Sequence, residues 1–340
     1  MLKKVLVVAA LLCVMLPFAA QDKEGKWNIE LGGWFTRPLG LDTTYAYGFK
    51  VTGTTVGVNF AQKPYSIGNE FRWQPTFKLA YDSGSLDFWI DYTTYDQTSF
   101  SVAPGTDNQI YLNPTLVNGA YYFGYATSAG ASMRTSYTNW NFNMGHTFHP
   151  TDKWALMVFG GLRYLRLEND LHVDYIDTSD LNNWGYDLGT DSVRIRANMT
   201  GWGLNFGLQS NYVLGKRFEV GTGLQVSMLR TTNDVDQYEI LNANYSGTVY
   251  SYGMTGVNSS QQRVTPALEM YAEAKFNFNE AWYAKFGYRF DFIKDGFGFD
   301  YANTPDLSGG AMYGIPTGGY YPTSKDVTFD GLYFSIGYKF

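Results

Sequence analysis

Two spacings in this chain could do chemistry. Asp170-Leu-His172 sets an imidazole two residues from a carboxylate, and Asp234-Val-Asp236 sets two carboxylates at the same spacing. Facing each other across a cleft, such pairs bind a water and draw a proton from it. The plainer reading is a set of solvated acidic loops, where aspartate is at home. His146 and His149 lie near a turn with no serine placed to be activated. The stretch 169–192 holds Asp170, Asp174, Asp177, Asp180, Asp187 and Asp191, oxygens suited to calcium, yet their spacing is not that of an EF-hand loop. Catalytic, cofactor-binding and metal-ligating residues are therefore assigned as none, and no cofactor is expected.

The elements that would carry these residues are legible in the composition. The 340 residues are 18% aromatic and only 16% charged, with 37 glycines and a net charge of −6. So much aromatic surface excludes intrinsic disorder. The acidic balance and the lack of basic runs exclude nucleic acid as a partner. At the N-terminus, Lys3 and Lys4 precede an uncharged apolar run from Val5 to Ala20, ending in small residues before Gln21. This is the layout of a cleaved secretory signal peptide over 1–20, leaving 21–340 as one domain. The single cysteine, Cys13, lies inside it, so the exported chain needs no disulfide.

Beyond the leader, the recurring period is two. Leu332, Phe334, Ile336, Tyr338 and Phe340 face one way, with Tyr333, Ser335, Gly337 and Lys339 opposite; Trp282 to Phe292 and Phe71 to Tyr81 repeat the pattern. Ten such segments can be marked, at 26–36, 69–81, 86–95, 133–148, 154–168, 193–213, 218–230, 263–278, 281–293 and 330–340. Tight connections (Asp82–Ser85, His149–Lys153, Leu214–Arg217, Asn279–Glu280) alternate with long ones (37–68, 96–132, 169–192, 231–262, 294–329). The expected fold is all-β: a transmembrane antiparallel β-barrel of about ten strands, with eight or twelve as alternatives, short periplasmic turns and long extracellular loops. A soluble β-sandwich also alternates, but its apolar face would not carry Phe, Trp, Tyr and Leu on nearly every strand. Trp27, Tyr81, Phe148, Trp154, Phe218, Phe278, Trp282 and Phe340 cluster at strand ends near the short turns, where an interfacial aromatic girdle belongs. Outer-membrane lipid is thus an expected partner, the cell outer membrane of a Gram-negative envelope the expected location, and the strand ending in Phe340 the expected handle for barrel-insertion machinery.

The polar face then lines the lumen. It carries Arg72, Lys78, Asp87, Asp91, Arg163, Glu269, Glu273, Lys285, Arg289 and Asp291, with Glu219, Arg263 and Lys275 on the same parity. Both signs occur on neighbouring strands, so Lys78 can approach Asp87 or Asp91, and Glu269 or Glu273 can approach Lys285 or Arg289. A narrow interior needs such pairing, because an unpaired charge there is costly. Glycines at 203, 207, 221, 223 and 287 share that face and leave room for bulky neighbours such as Tyr271 or Arg289. Ten strands fall between a barrel filled by its own side chains and one that holds a channel.

Gly160-Gly-Leu-Arg-Tyr164, Gly201-Trp-Gly-Leu-Asn-Phe-Gly-Leu208, the turn Leu214-Gly-Lys-Arg217 and Val264-Thr-Pro-Ala-Leu-Glu269 resemble successive strands of the Legionella-type pore-forming outer-membrane protein family. The likeness covers roughly 154–293 and the final strand. It implies an outer-membrane barrel that forms a pore. The function expected first is a narrow pore passing small polar solutes or ions. A plugged barrel binding a surface partner through its long loops is the alternative. A surface protease is the third, since omptins, also ten-stranded barrels, resemble this chain in using an Asp-His pair and an Asp pair, in the reverse order along the sequence.

Overall fold

The computed structural model describes residues 25–52, 59–83, 86–104, 110–112, 124–125, 128–180, 187–245, 248–304 and 317–340. The stretch 1–20 expected to be a leader, with Cys13 inside it, and turn residues 84–85 lie outside them. Among the described residues there are fourteen strands: β1 (Lys26–Leu39), β2 (Thr43–Thr52), β3 (Asn59–Ile67), β4 (Arg72–Asp82), β5 (Leu86–Pro104), β6 (Ile110–Leu112), β7 (Gly124–Tyr125), β8 (Ser128–Thr151), β9 (Trp154–Asp180), β10 (Asp187–Val213), β11 (Phe218–Tyr245), β12 (Thr248–Asn277), β13 (Trp282–Thr304) and β14 (Thr317–Lys339). Ten of them run in the order β10-β11-β12-β13-β14-β1-β4-β5-β8-β9, and β9 pairs back onto β10. The ring is closed and antiparallel throughout. Its seam is fastened where the C-terminal residue meets the first strand: Phe340 N–H donates to Trp27 O at 2.9 Å and Trp27 N–H to Phe340 O at 3.0 Å.

The tight connections have local causes. The Asn279 carboxamide oxygen accepts from the N–H groups of Ala281 and Trp282 at 2.9 and 2.7 Å, fixing that turn. The Ser83 hydroxyl bridges to Leu86 O at 2.7 Å in the first turn. On the outer wall, the row Phe142–Leu162–Leu204–Met228–Pro266 is apolar, as is Met144–Gly160–Phe206–Val226–Leu268 one step nearer the turns. Leu204, Phe206 and Val226 are 56%, 65% and 47% exposed, which only a lipid environment rewards.

One expectation is corrected here. The connections marked as long loops are largely strand. β9 runs on to Asp180, β10 begins at Asp187, and β11 and β12 continue to Tyr245 and from Thr248. The wall therefore rises well beyond the segments that the alternation delimits. The upper wall is uneven: β12 and β13 pair only from Ala267–Ile293 down to Asn277–Tyr283. Above that level, Arg263 of β12 reaches across to Ser324 Oγ at 3.0 Å and Gly296 O at 2.9 Å. On the other flank, β2, β3 and β6 form a small separate sheet.

Candidate functional site: the layered barrel interior

The inward side chains form successive levels, counted from the short turns. Lowest are Asp87, whose carboxylate accepts from Thr147 Oγ1 at 2.7 Å, and Glu219, paired with Lys275 at 3.1 Å and accepting from Asn277 at 2.7 Å. Next, Lys285 Nζ lies 2.9 Å from Glu30 and 3.4 Å from Glu273. Ser335 donates to Glu30 at 2.7 Å, and the Tyr333 hydroxyl donates to Glu273. Lys78 stands 5.2 Å from the centre of the Trp89 ring, in cross-strand register with Asp91. Above them, Arg289 contacts Glu269 at 3.0 Å, donates to Thr93 at 2.8 Å and lies over the Trp34 ring. A cavity of about 110 Å³ opens between these levels, with Lys78, Asp91, Glu269, Glu273, Lys285 and Arg289 in its wall.

On β9, beyond Phe159 of the cavity wall and farther from the short turns, stands Arg163. Its guanidinium holds both carboxylate oxygens of Asp291, at 2.7 and 2.9 Å, and donates to Asn139 at 2.9 Å and Tyr137 at 3.2 Å. Neither Arg163 nor Asp291 has any solvent exposure. Higher still, Leu165, Leu167, Leu171, Val173, Val193, Ile195, Met199, Leu229, Ile293 and Val327 are buried in one apolar cluster, with Asn169, Asp191 and Glu239 also buried on these strands. The connection after β1 caps it. Leu41, Tyr45 and Ile67 sit in the same cluster, and the Tyr175 hydroxyl donates to Tyr45 O at 2.5 Å.

Lys78, Asp91, Glu269, Glu273, Lys285 and Arg289 thus surround one space, with Asp87 below and Arg163 and Asp291 above. Arg72 departs from the expectation: it stands exposed at the outer end of β4, outside the cavity wall. Arg263 holds the upper wall rather than the lumen. Glu30, Trp34, Tyr137 and Tyr333 complete the site and were legible only as inward positions on β1, β8 and β14. Of the girdle residues, Trp27 packs on Tyr81 at 5.1 Å, while Phe148, Trp154, Phe218, Phe278, Trp282 and Phe340 are exposed at the short-turn rim.

The Asp-His and Asp-Asp pairs face outward, on β9 and β11, with β10 between. Arg196 lies in register with both Asp170 and Asp236. Asp170 receives Arg194 at 2.6 Å and Arg196 at 3.5 Å. Burial works against its charged form, but the Arg194 hydrogen bond and charge, with Arg196, outweigh it and hold the carboxyl below its ordinary range. His172 pairs instead with Asp174 at 3.1 Å. Among the described residues, no group of three or more His, Cys, Asp or Glu could hold a metal ion.

A closed antiparallel ring, apolar outside and charged inside, defines an outer-membrane β-barrel. The chain belongs to the family described as Legionella pneumophila major outer membrane protein precursor, whose pattern it matches over residues 21–340. No curated protein is similar to it in sequence. Solved structures that it resembles include the outer membrane protease OmpT from Escherichia coli, at 10% identity and a TM-score of 0.47, covering 94% of this chain and 98% of that one. A Pseudomonas aeruginosa FadL homologue matches at 10% identity and 0.28, covering 94% and 90%. The Ralstonia pickettii toluene transporter TbuX matches at 12% and 0.30, covering 92% and 89%. None of these likenesses bears on what this chain does.

Proposed function

We propose that the protein is a plugged outer-membrane barrel, exported by cleavage of its leader over 1–20, that acts through its extracellular half rather than as an open pore. The observation carrying this reading is the Arg163–Asp291 pair, without exposure and overlain by the apolar cluster. An ion crossing that level would have to break a buried, hydrogen-bonded ion pair and then pass the buried side chains of Leu165, Leu167 and Met199, both costly steps. The order of preference read from the sequence is thereby reversed. Function then falls to the tall outer wall and its connections, whose Arg134–Asp96 and Arg194–Asp170 pairs present a charged, ordered surface to a partner.

The cavity beneath Arg163 favours a second reading, passage of small polar solutes once the pair opens. Proteoliposome swelling separates the two. Vesicles carrying the folded protein should swell in an isosmotic small sugar no faster than protein-free vesicles; fast swelling would favour the pore.

A further inference from the structure

The outer wall of β8–β11 changes character within one row of residues. Tyr92, Trp140, Tyr164, Trp202 and Arg230 lie side by side in register on β5, β8, β9, β10 and β11. Tyr92 meets Trp140 at 4.4 Å and Tyr164 meets Trp202 at 4.7 Å. Toward the turns the next row is Ile90–Phe142–Leu162–Leu204–Met228, wholly apolar. Away from them it is Thr94–Thr138–Arg166–Thr200–Thr232, wholly polar. From Trp154 to Tyr164 on β9, and from Tyr212 to Trp202 on β10, is ten residues; at about 3.3 Å each and a tilt near 45° this spans about 23 Å, the height of an apolar membrane band. The aromatic row therefore marks the outer headgroup level, a second girdle beside the one near the turns.

Two guanidiniums reach into that level. Arg230 rises toward the polar row, donating to Gln262 Oε1 at 3.0 Å, and no carboxylate pairs with it among the described residues. Arg166 pairs with Glu168, its guanidinium is partly exposed, and its buried Nε–H has no hydrogen-bond partner. Between them, in register, stand the hydroxyls of Thr200 and Thr232, for which the structure records no side-chain hydrogen bond. Glu168 and the outward Asp234 belong to the row beyond, farther from the bilayer.

We infer that Arg166, Thr200, Thr232 and Arg230 form a site for the phosphate of an outer-leaflet lipid headgroup, with Trp202 against its glycan or acyl root. Arginine suits this role because its fork donates in pairs to phosphate oxygens. The site concerns the lipid around the barrel and is independent of whether the lumen is open.

The test uses full-length protein folded in detergent and mixed with bisphosphorylated lipid A, lipid retention being read by native mass spectrometry. The wild type should retain the lipid, and R166A/R230A should bind it roughly tenfold more weakly or worse, from the loss of charge-assisted bonds. Lys216→Ala, exposed in the short turn between β10 and β11 at the other end of the barrel, should bind as wild type. If the double alanine variant does not fold, R166K/R230K serves in its place and should bind with intermediate affinity. Retention by the double variant equal to wild type would overturn the site. Equal retention of the same lipid stripped of its phosphates would overturn the phosphate assignment. Displacement of the lipid by equimolar inorganic phosphate would overturn the lipid as the source.

Discussion

Arg163 on β9 and Asp291 on β13 are 128 residues apart in sequence and meet across the barrel at 2.7 Å, both fully buried. The contact divides the interior, with paired charges toward the periplasmic turns and, toward the exterior, an apolar cluster beside which Asp191 and Glu239 are also buried. Asn139 and Tyr137 add hydrogen bonds that such a pair needs to offset its desolvation.

Removing one partner should therefore cost more than removing both. Arg163→Leu leaves the Asp291 carboxylate buried without its counter-charge and is expected to lose about 3–5 kcal/mol. Arg163→Leu with Asp291→Leu should recover most of that. Urea unfolding of protein inserted in lipid vesicles, followed by tryptophan fluorescence, measures both.

The outer wall gives a position-dependent prediction. Phe206 projects into the apolar band, 65% exposed, whereas Thr200 stands in the polar row above Trp202. Phe206→Arg should destabilise by about 2–4 kcal/mol and Thr200→Arg by about 0–1, the depth dependence of a charge on a lipid face. Equal costs in the same unfolding assay would place the boundary elsewhere.

Gly223 tests the packing of the charged half. A methyl group there would stand 2.2 Å from the Tyr271 ring, which lies across the wall in the space that the glycine leaves. Gly223→Ala should cost about 1–3 kcal/mol, the usual penalty of overpacking. Adding Tyr271→Ala should relieve part of it, and a double-variant unfolding cycle reads the coupling.

The extracellular half should be pH-sensitive. Asp191 is buried on β10, outside the membrane band, and burial with the neighbouring Glu239 carboxylate pushes it up to about 9. A raised folded-state value favours the protonated form, so its contribution is fully present below the ordinary aspartate range and declines as pH rises toward 9. Stability of the upper wall should fall between about pH 4 and 9, and Asp191→Asn should flatten that slope. Limited proteolysis of the extracellular half across this range checks it.

Much of the fold is legible because inside the membrane band the two faces differ sharply. On β9, outward Val158, Leu162 and Tyr164 alternate with inward Gly161 and Arg163. Beyond Tyr164 the polarity inverts: Arg166, Glu168, Asp170 and His172 face out while Leu165, Leu167, Leu171 and Val173 face in. β10 inverts at the same level, from Trp202 and Leu204 outside to Arg194 and Arg196 outside. A pattern that expects apolar residues on the lipid face takes this inversion for the end of a strand, which is why the upper wall reads as loop. The inversion also hides the plug, since inward leucines above the bilayer share their chain parity with inward charges within it. Pairing partners were legible where strands are neighbours, as in Glu269 with Arg289. They were not where the barrel brings β9 to β13, because no local spacing encodes a contact across the lumen.

The most direct test of a plugged barrel is single-channel recording in a planar bilayer, comparing the folded wild type with the Arg163→Ser, Asp291→Ser double variant, insertion being verified independently. The wild type should be silent, and the variant should remain silent or flicker only briefly, because the apolar cluster still lies above the opened pair. Sustained discrete steps from the wild type would contradict the account and return the charged interior to the role of a conducting pore.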